Sequence, residues 1–156
     1  MPRTVRCQGA IVQDHQLLLI EHREHASGQS HWLLPGGGQE DGEGEEDCVV
    51  REMREETGLD VQVERLLLDE PAVPVIVYQR RKTYLCRVLG GQAAPGFEPE
   101  VEVAEAYGIV AVQWFDLRDP ATWEPQVLKD ATTVRQLRKI QAALGYAAAD
   151  DGDHLT

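Results

Sequence analysis

Three glutamates, Glu52, Glu55 and Glu56, stand at i, i+3 and i+4 in the run Arg51-Glu52-Met53-Arg54-Glu55-Glu56-Thr57-Gly58-Leu59. On a helix those offsets share one face, so the run would present three carboxylates side by side. Upstream Pro35-Gly36-Gly37-Gly38 reads as a loop, flexible enough to bring backbone carbonyls and amides close to a ligand. Hard oxygen donors beside such a segment suit a divalent cation, and through it a phosphorylated substrate. The competing reading is a solvated surface helix, because glutamate is a good helix former. The placement of charge weighs against it. Glu55 and Glu56 fall in the last turns, where the helix dipole favours cations. In a partly buried cleft, carboxylates about 5 Å apart repel by roughly 3 kcal/mol at an effective dielectric of 20. A bound divalent ion removes that repulsion.

The chain of 156 residues carries a formal charge of −12. Between Gly37 and Asp60, ten acids against Arg51 and Arg54 leave −8 of it. Such a surface argues against non-specific binding to nucleic acid or to an anionic membrane, and would repel a polyphosphate unless cations bridged the two. No apolar run approaches the ~18 residues of a membrane span, and no signal-peptide core is present. A cytoplasmic protein is expected. Cys7, Cys48 and Cys86 are odd in number, with no CxxC or Cys/His zinc spacing, and read as reduced, small apolar residues.

The elements that must position the glutamates follow from periodicity. Val5 to Val12 reads as a strand, Asp14-His15 as a turn, Leu17 to Ile20 as a buried strand, residues 23–31 as a loop and Trp32-Leu33-Leu34 as a brief strand. Glu45 to Thr57 is the first clear helix, with Gly58 as its C-terminal cap. At about 100° per residue, Val49, Val50 and Met53 share a packing arc. Glu45, Glu52, Glu55 and Glu56 share another, flanked by Arg51 and Arg54. Further strands are expected over Val61–Leu68, Val73–Gln79, Thr83–Leu89 and Ile109–Phe115, with Arg80-Arg81-Lys82 at a hairpin turn and a Gly/Pro loop over Gly90–Pro99. Ala131 to Leu144 is the second clear helix. One mixed α/β domain over residues 1–146 is expected, with 147–156 a disordered acidic tail.

At this point the residues resemble those of the Nudix hydrolases. That family carries the signature G-x5-E-x7-R-E-U-x-E-E-x-G-U, with U bulky and apolar. Gly37, Glu43, Arg51-Glu52-Met53, Glu55-Glu56 and Gly58-Leu59 fill every fixed position. Trp32-x-Leu34-Pro35-Gly36-Gly37-Gly38 and Trp114-Phe115 are also typical of the family. The resemblance implies an α/β (α+β) Nudix fold, a mixed sheet sandwiched between helices, over about residues 3–145. It implies hydrolysis of a nucleoside diphosphate linked to a group X with Mg²⁺ or Mn²⁺ as cofactor. Glu52, Glu55 and Glu56 would hold the metal with the Gly36 carbonyl, and Glu52 or Glu55 would also act on the attacking water. Gly37, Glu43, Arg51 and Gly58 would be scaffold. A further glutamate often comes from a later loop. Glu98, Glu100, Glu102 and Glu105 precede Trp114, with Glu102 and Glu105 preferred.

The substrate is left open: a nucleoside triphosphate, a nucleotide sugar or ADP-ribose, with the first two most compatible with a short chain. Pro74 lies 15 residues after Leu59, a spacing seen in ADP-ribose-cleaving relatives, while Tyr78 misses the spacing of dinucleoside-polyphosphate hydrolases by one. Arg80-Arg81-Lys82 reads as an exposed basic turn, His22 and His25 as surface residues, Trp32 as core, and Trp123 as core or base-stacking. A ligand sensor without hydrolysis is the alternative, but it predicts damaged glutamates. Isoprenoid diphosphate isomerisation would need Cys and Glu motifs that are absent. A homodimer is a further expectation from the resemblance.

Overall fold

The structure, a computed structural model, describes residues 5–72, 78–97 and 101–146, with the backbone alone at 101 and 102. The expected strand from Val73, the cue at Pro74, Glu98, Glu100 and the acidic tail lie outside the described residues.

Strand β1 (Val5–Gln13) organises the sheet. It runs parallel to β6 (Arg80–Gly91), from Val5 beside Arg80 to Ile11 beside Cys86. On its other side it holds β4 (Gly36–Gly38) antiparallel. By Val12 and Gln13 it pairs instead with β2 (Gln16–Glu24) across the Asp14-His15 turn. Both turn residues have positive φ, 52° and 67°, as a two-residue hairpin requires. β2 also pairs with β3 (Ser30–Leu33) and β7 (Tyr107–Asp116), and β5 (Leu59–Pro71) pairs with β6. The central order is β3-β2-β1-β6-β5.

Helices cover both faces, which explains the continuous apolar run in β2. Helix α1 (Glu45–Thr57) lays Val49 and Met53 on Cys7, Ile11, Leu18 and Cys86. After it come α2 (Val101–Ala106), α3 (Pro125–Leu128) and α4 (Ala131–Leu144). α4 lays Leu137 and Ile140 on a second cluster containing Ala10, Leu17, Leu19, Trp32, Leu34 and Phe115. Leu17 and Leu19 thus face α4 while Leu18 faces α1. A mixed sheet sandwiched between helices is the architecture the sequence led us to expect. α4 starts where Asp130 accepts from the Thr132 and Thr133 amides, and ends at Gly145 with φ 82°.

Four local expectations need correction. Arg80-Arg81-Lys82 is the start of β6, opposite Pro71, Glu70 and Asp69. Cross-strand acids make those basic residues good strand partners rather than turn residues. Gly36–Gly38 is a strand edge paired with Gln8, Cys7 and Arg6. The stretch before β7 contains the short helix α2, and the loop expected over 23–31 narrows because β2 continues to Glu24 and β3 starts at Ser30.

Candidate active site

Strand β1 pairs with β4 and also underlies α1, so it fixes the glycine strand against the acidic helix. The approach is close. A Cβ on Gly37 would come within 2.7 Å of the Glu52 carboxyl carbon, so the missing side chain makes the recess that Glu52 fills. Glu52 and Glu56 are both 1% exposed, although the wheel projection alone would leave them on an outer arc. The helix ends at Gly58, whose φ of 77° lets its N–H reach the Arg54 carbonyl.

Arg51 is the centre of the site. Its Nε and Nη2 donate to the two carboxylate oxygens of Glu43 at 2.8 and 2.9 Å. Its Nη1 donates to Glu52 Oε2 at 3.1 Å and to Glu55 Oε1 at 2.9 Å, and its Nη2 reaches the Gly38 carbonyl at 3.1 Å. The two-point contact is the strong form of an arginine–carboxylate pair. It holds the Glu43 carboxyl below its ordinary range, chiefly through the Arg51 hydrogen bond, and raises the guanidinium in turn. Glu43 also accepts from the Glu40 amide at 3.0 Å, which closes the loop between β4 and α1. Glu56 is aimed elsewhere, its Oε1 accepting from the Gly36 amide at 2.9 Å.

The scaffold expectation for Gly37, Glu43, Arg51 and Gly58 thus has a specific geometry. Two flanking residues behave differently from expectation. Arg54 turns away to Asp60, which accepts from its Nε at 2.7 Å. Glu45 sits in the first turn and bonds Lys82 Nζ at 3.0 Å and the Tyr84 hydroxyl, so it belongs to the sheet side rather than to the acidic arc. Tyr84 and Lys82 are both raised, the tyrosine by burial and then by Glu45, the lysine by its Glu45 bond.

Among the described residues, no three His, Cys, Asp or Glu side chains surround one point as a closed cage would. The donor chemistry and the charge nevertheless suit a divalent ion. Glu43, Glu52 and Glu55 converge on one guanidinium, which gathers their carboxylate oxygens at one place. The Gly36 carbonyl accepts from Arg6 Nη1 at 3.0 Å, which uses one of its two lone pairs.

A family model described as a NUDIX domain matches residues 3–137 of the chain. The chain belongs to the NUDIX family. A NAD-capped RNA hydrolase NudC from Vibrio atlanticus is 33% identical over 129 residues, which are 82% of this chain and 41% of that protein. A putative ADP-ribose pyrophosphatase YjhB from Bacillus subtilis is 33% identical over 96 residues, 58% of this chain and 44% of that protein. This NUDIX chain therefore spans less than half the length of both. Among solved structures, an ADP-ribose pyrophosphatase from Streptococcus suis superposes with a TM-score of 0.64 at 28% identity, covering 92% of each chain. A NUDIX hydrolase from Nitrosomonas europaea, at 21% identity, shares the fold with a TM-score of 0.67.

Other expected residues fall as follows in the NUDIX domain. Glu105 lies on α2, exposed and without an ion pair among the described residues, and the structure does not bring it onto the α1 carboxylates. Glu102 has its backbone on the same helix, and its side chain lies outside the described residues. Trp32 packs edge-on against Phe115 with centroids 5.6 Å apart. Trp123 is 2% exposed and donates to the Asp116 carbonyl at 2.7 Å, so it is core. His22 stacks on Tyr107 with centroids 5.7 Å apart, and His25 holds the end of α2 through its backbone amide to Ala106 at 2.8 Å. All three cysteines are free and buried.

Sequence reasoning missed two long-range supports. One is Arg6, which also donates to the Leu34 carbonyl at 2.8 Å. The other is a strap of residues 94–97. Its Ala94, Gly96 and Phe97 amides donate to the Thr57, Glu56 and Glu55 carbonyls, each at 2.9 Å. Helix ends leave such carbonyls without intrahelical partners. A Cβ on Gly96 would overlap the Glu55 carbonyl, so the glycine there is the one sequence signal that could have marked the strap.

Proposed function

We propose that this chain is a Mg²⁺- or Mn²⁺-dependent hydrolase that cleaves the pyrophosphate linkage of a nucleoside diphosphate derivative. The observation that carries the reading is the cluster of Glu43, Glu52 and Glu55 on the single cation Arg51, beside a glycine strand. Carboxylate oxygens gathered in this way are the hard donors that Mg²⁺ and Mn²⁺ take. Glu52, Glu55 and Glu56 are the residues that would hold the ion, with the remaining lone pair of the Gly36 carbonyl. When bound, such an ion neutralises pyrophosphate charge and lowers the pKa of coordinated water.

The chain's own residues supply the rest. Arg51 orients Glu52 and Glu55 together through one nitrogen, and the Gly36 amide orients Glu56. Glu55 is the carboxylate that water reaches, with 23% of its side chain exposed against 1% for Glu52. Of the two candidates it is therefore our choice to accept the proton of the attacking water, with Glu52 a metal ligand. Glu43 keeps Arg51 in place and touches no reacting atom.

The named relatives favour substrates in which two phosphates link a nucleoside to a further sugar or nucleoside, and ADP-ribose is the first compound to try. Triphosphates and nucleotide sugars remain in the same class. We take the domain as residues 1–146, acting on a small molecule in the cytoplasm. Among the described residues, no helix is long and apolar enough to cross a membrane. The test is a screen of ADP-ribose, NADH, nucleotide sugars and nucleoside triphosphates with Mg²⁺ or Mn²⁺, with products identified by mass. Release of AMP from ADP-ribose would support the proposal. Tight binding of any of these without cleavage would replace it with a ligand sensor. Gel filtration of the same sample would test the homodimer.

A further inference from the structure

On the sheet face opposite α1 the charge balance reverses. Side chains alternate along a strand, so Arg6 and Gln8 point to the same face as Ala10, the α4 side. The parallel register sets Arg6 directly beside Arg81. Neighbouring strands lie about 4.8 Å apart, so two guanidiniums leave adjacent strands on one side of the sheet. Glu70, opposite Arg81 on β5, is the one carboxylate paired with this group among the described residues. It meets Arg81 Nε at 3.5 Å and Lys139 Nζ at 2.6 Å. Burial would raise the Glu70 carboxyl, and the Lys139 bond and the Arg81 charge overcome that and hold it low.

Arg6 pairs with no carboxylate among the described residues. Its partners are neutral: the Leu34 carbonyl, the Gly36 carbonyl and Gln8 Oε1, at 2.8, 3.0 and 3.1 Å. These bonds use three of the five N–H donors an arginine carries. Arg81 Nε is buried and makes no hydrogen bond among the described residues. Arg81 and Lys139 thus share Glu70, while the hydrogen-bond partners of Arg6 beside them are all neutral among the described residues. A neutral donor at residue 6 could satisfy the same three acceptors without the cost of desolvating a charge, and like charges on adjacent strands are unfavourable. A surplus of positive charge held this way, in a chain of net charge −12, calls for an anion.

We infer that Arg6 and Arg81 form an anion subsite for a phosphate of the substrate. The inference rests on the proposed function for the identity of the ligand, and on the arginine pair for its place. Arg6 bonds the Gly36 carbonyl while Glu56 bonds the Gly36 amide, so a single glycine separates the subsite from the carboxylates. A pyrophosphate carries charge on both phosphorus centres. The carboxylate side needs a cation to approach that charge, and the arginine side needs none. Arg6 is in addition a positioning residue, because it ties the end of the Leu34–Gly36 segment to β1.

The test is calorimetric titration of the whole chain with inorganic pyrophosphate in excess Mg²⁺, with thermal melts alongside, for wild type, Arg81→Gln, Arg6→Gln and Arg6→Lys. Arg81→Gln and Arg6→Gln should each weaken pyrophosphate binding by about tenfold or more, the loss expected for a charge-assisted contact. Arg6→Lys should recover part of it, and Mn²⁺ binding without pyrophosphate should not change. Arg81→Gln decides the matter if Arg6→Gln fails to fold. Equal affinity in wild type and Arg81→Gln overturns the subsite, as does a wild type that binds no pyrophosphate. Loss of Mn²⁺ binding in Arg81→Gln also overturns it, since the effect would then run through the metal. Turnover of ADP-ribose by wild type is scored separately. Its absence, with pyrophosphate binding still sensitive to Arg81→Gln, removes the hydrolase reading and supports the subsite.

Discussion

Two charge clusters in this domain are opposites. Around Arg51, three carboxylates gather on one guanidinium, with Glu40 a further acid at 3.7 Å. Around Glu70, Arg81 and Lys139 gather on one carboxylate, and Arg6 stands beside them. Each cluster gathers several charges of one sign on a single central ion of the other, and the glycine strand lies between them. The difference teaches that net charge alone misleads here. The strongly acidic total hides a basic patch next to the site, and the two surpluses suit the two halves of a metal–phosphate ligand.

The comparison is broken most severely by Arg51→Ala. It strips the common partner from Glu43, Glu52 and Glu55, and losing one member of a buried pair costs about 3–5 kcal/mol. Urea unfolding should show that loss, and added Mg²⁺ should stabilise the variant more than wild type. A variant as stable as wild type would refute the role of Arg51 as the hub. Glu55→Gln and Glu56→Gln should each reduce Mg²⁺-dependent turnover by about tenfold or more, as for loss of a general base or metal ligand, with melting nearly unchanged. Wild-type rates in both would sink the mechanism.

Acid tests the hub differently. The folded Glu43 carboxyl is held below its ordinary value, so its stabilising contribution is complete above the unfolded pKa of about 4.3. It is lost as pH falls through the lower folded value. Urea midpoints followed from neutral to acid pH should fall less steeply in Glu43→Gln than in wild type. On the basic side, Glu70→Gln removes the shared carboxylate and should tighten pyrophosphate binding several-fold by the same titration, whereas weaker binding would count against the subsite. The smallest effect is expected for Arg54→Ala. Its bond to Asp60 is exposed, and such pairs contribute about 0–1 kcal/mol, so a larger loss in a melt would show that Arg54 supports the site after all.

The local parts of this architecture were legible. Helix α1 announces its packing face, since Val49 and Met53 bury themselves on the sheet, while Glu52 and Glu55 meet on Arg51 and Glu56 turns to the Gly36 amide. The glycine at its end and the spacing of Glu43 to Arg51 also carry over directly. What was hidden depends on partners far away in the chain. Glu45 belongs by angle with the acids, yet Lys82 and Tyr84 draw it to the sheet. Arg80-Arg81-Lys82 looks like a turn until Asp69 and Glu70 are known to lie opposite. Arg6 reaches carbonyls 28 and 30 residues away, and no local pattern marks a contact of that kind. Trp123 could be assigned to the core only once Asp116 was seen to accept its indole N–H.

The strap of residues 94–97 has a dynamic consequence. Its three amides and the carbonyls of Glu55, Glu56 and Thr57 protect one another, so neither side can open alone without exposing the other. The two segments should therefore exchange their amide hydrogens as one cooperative unit. The last turn of α1, normally the first part of a helix to fray, should open no faster than the strap that covers it.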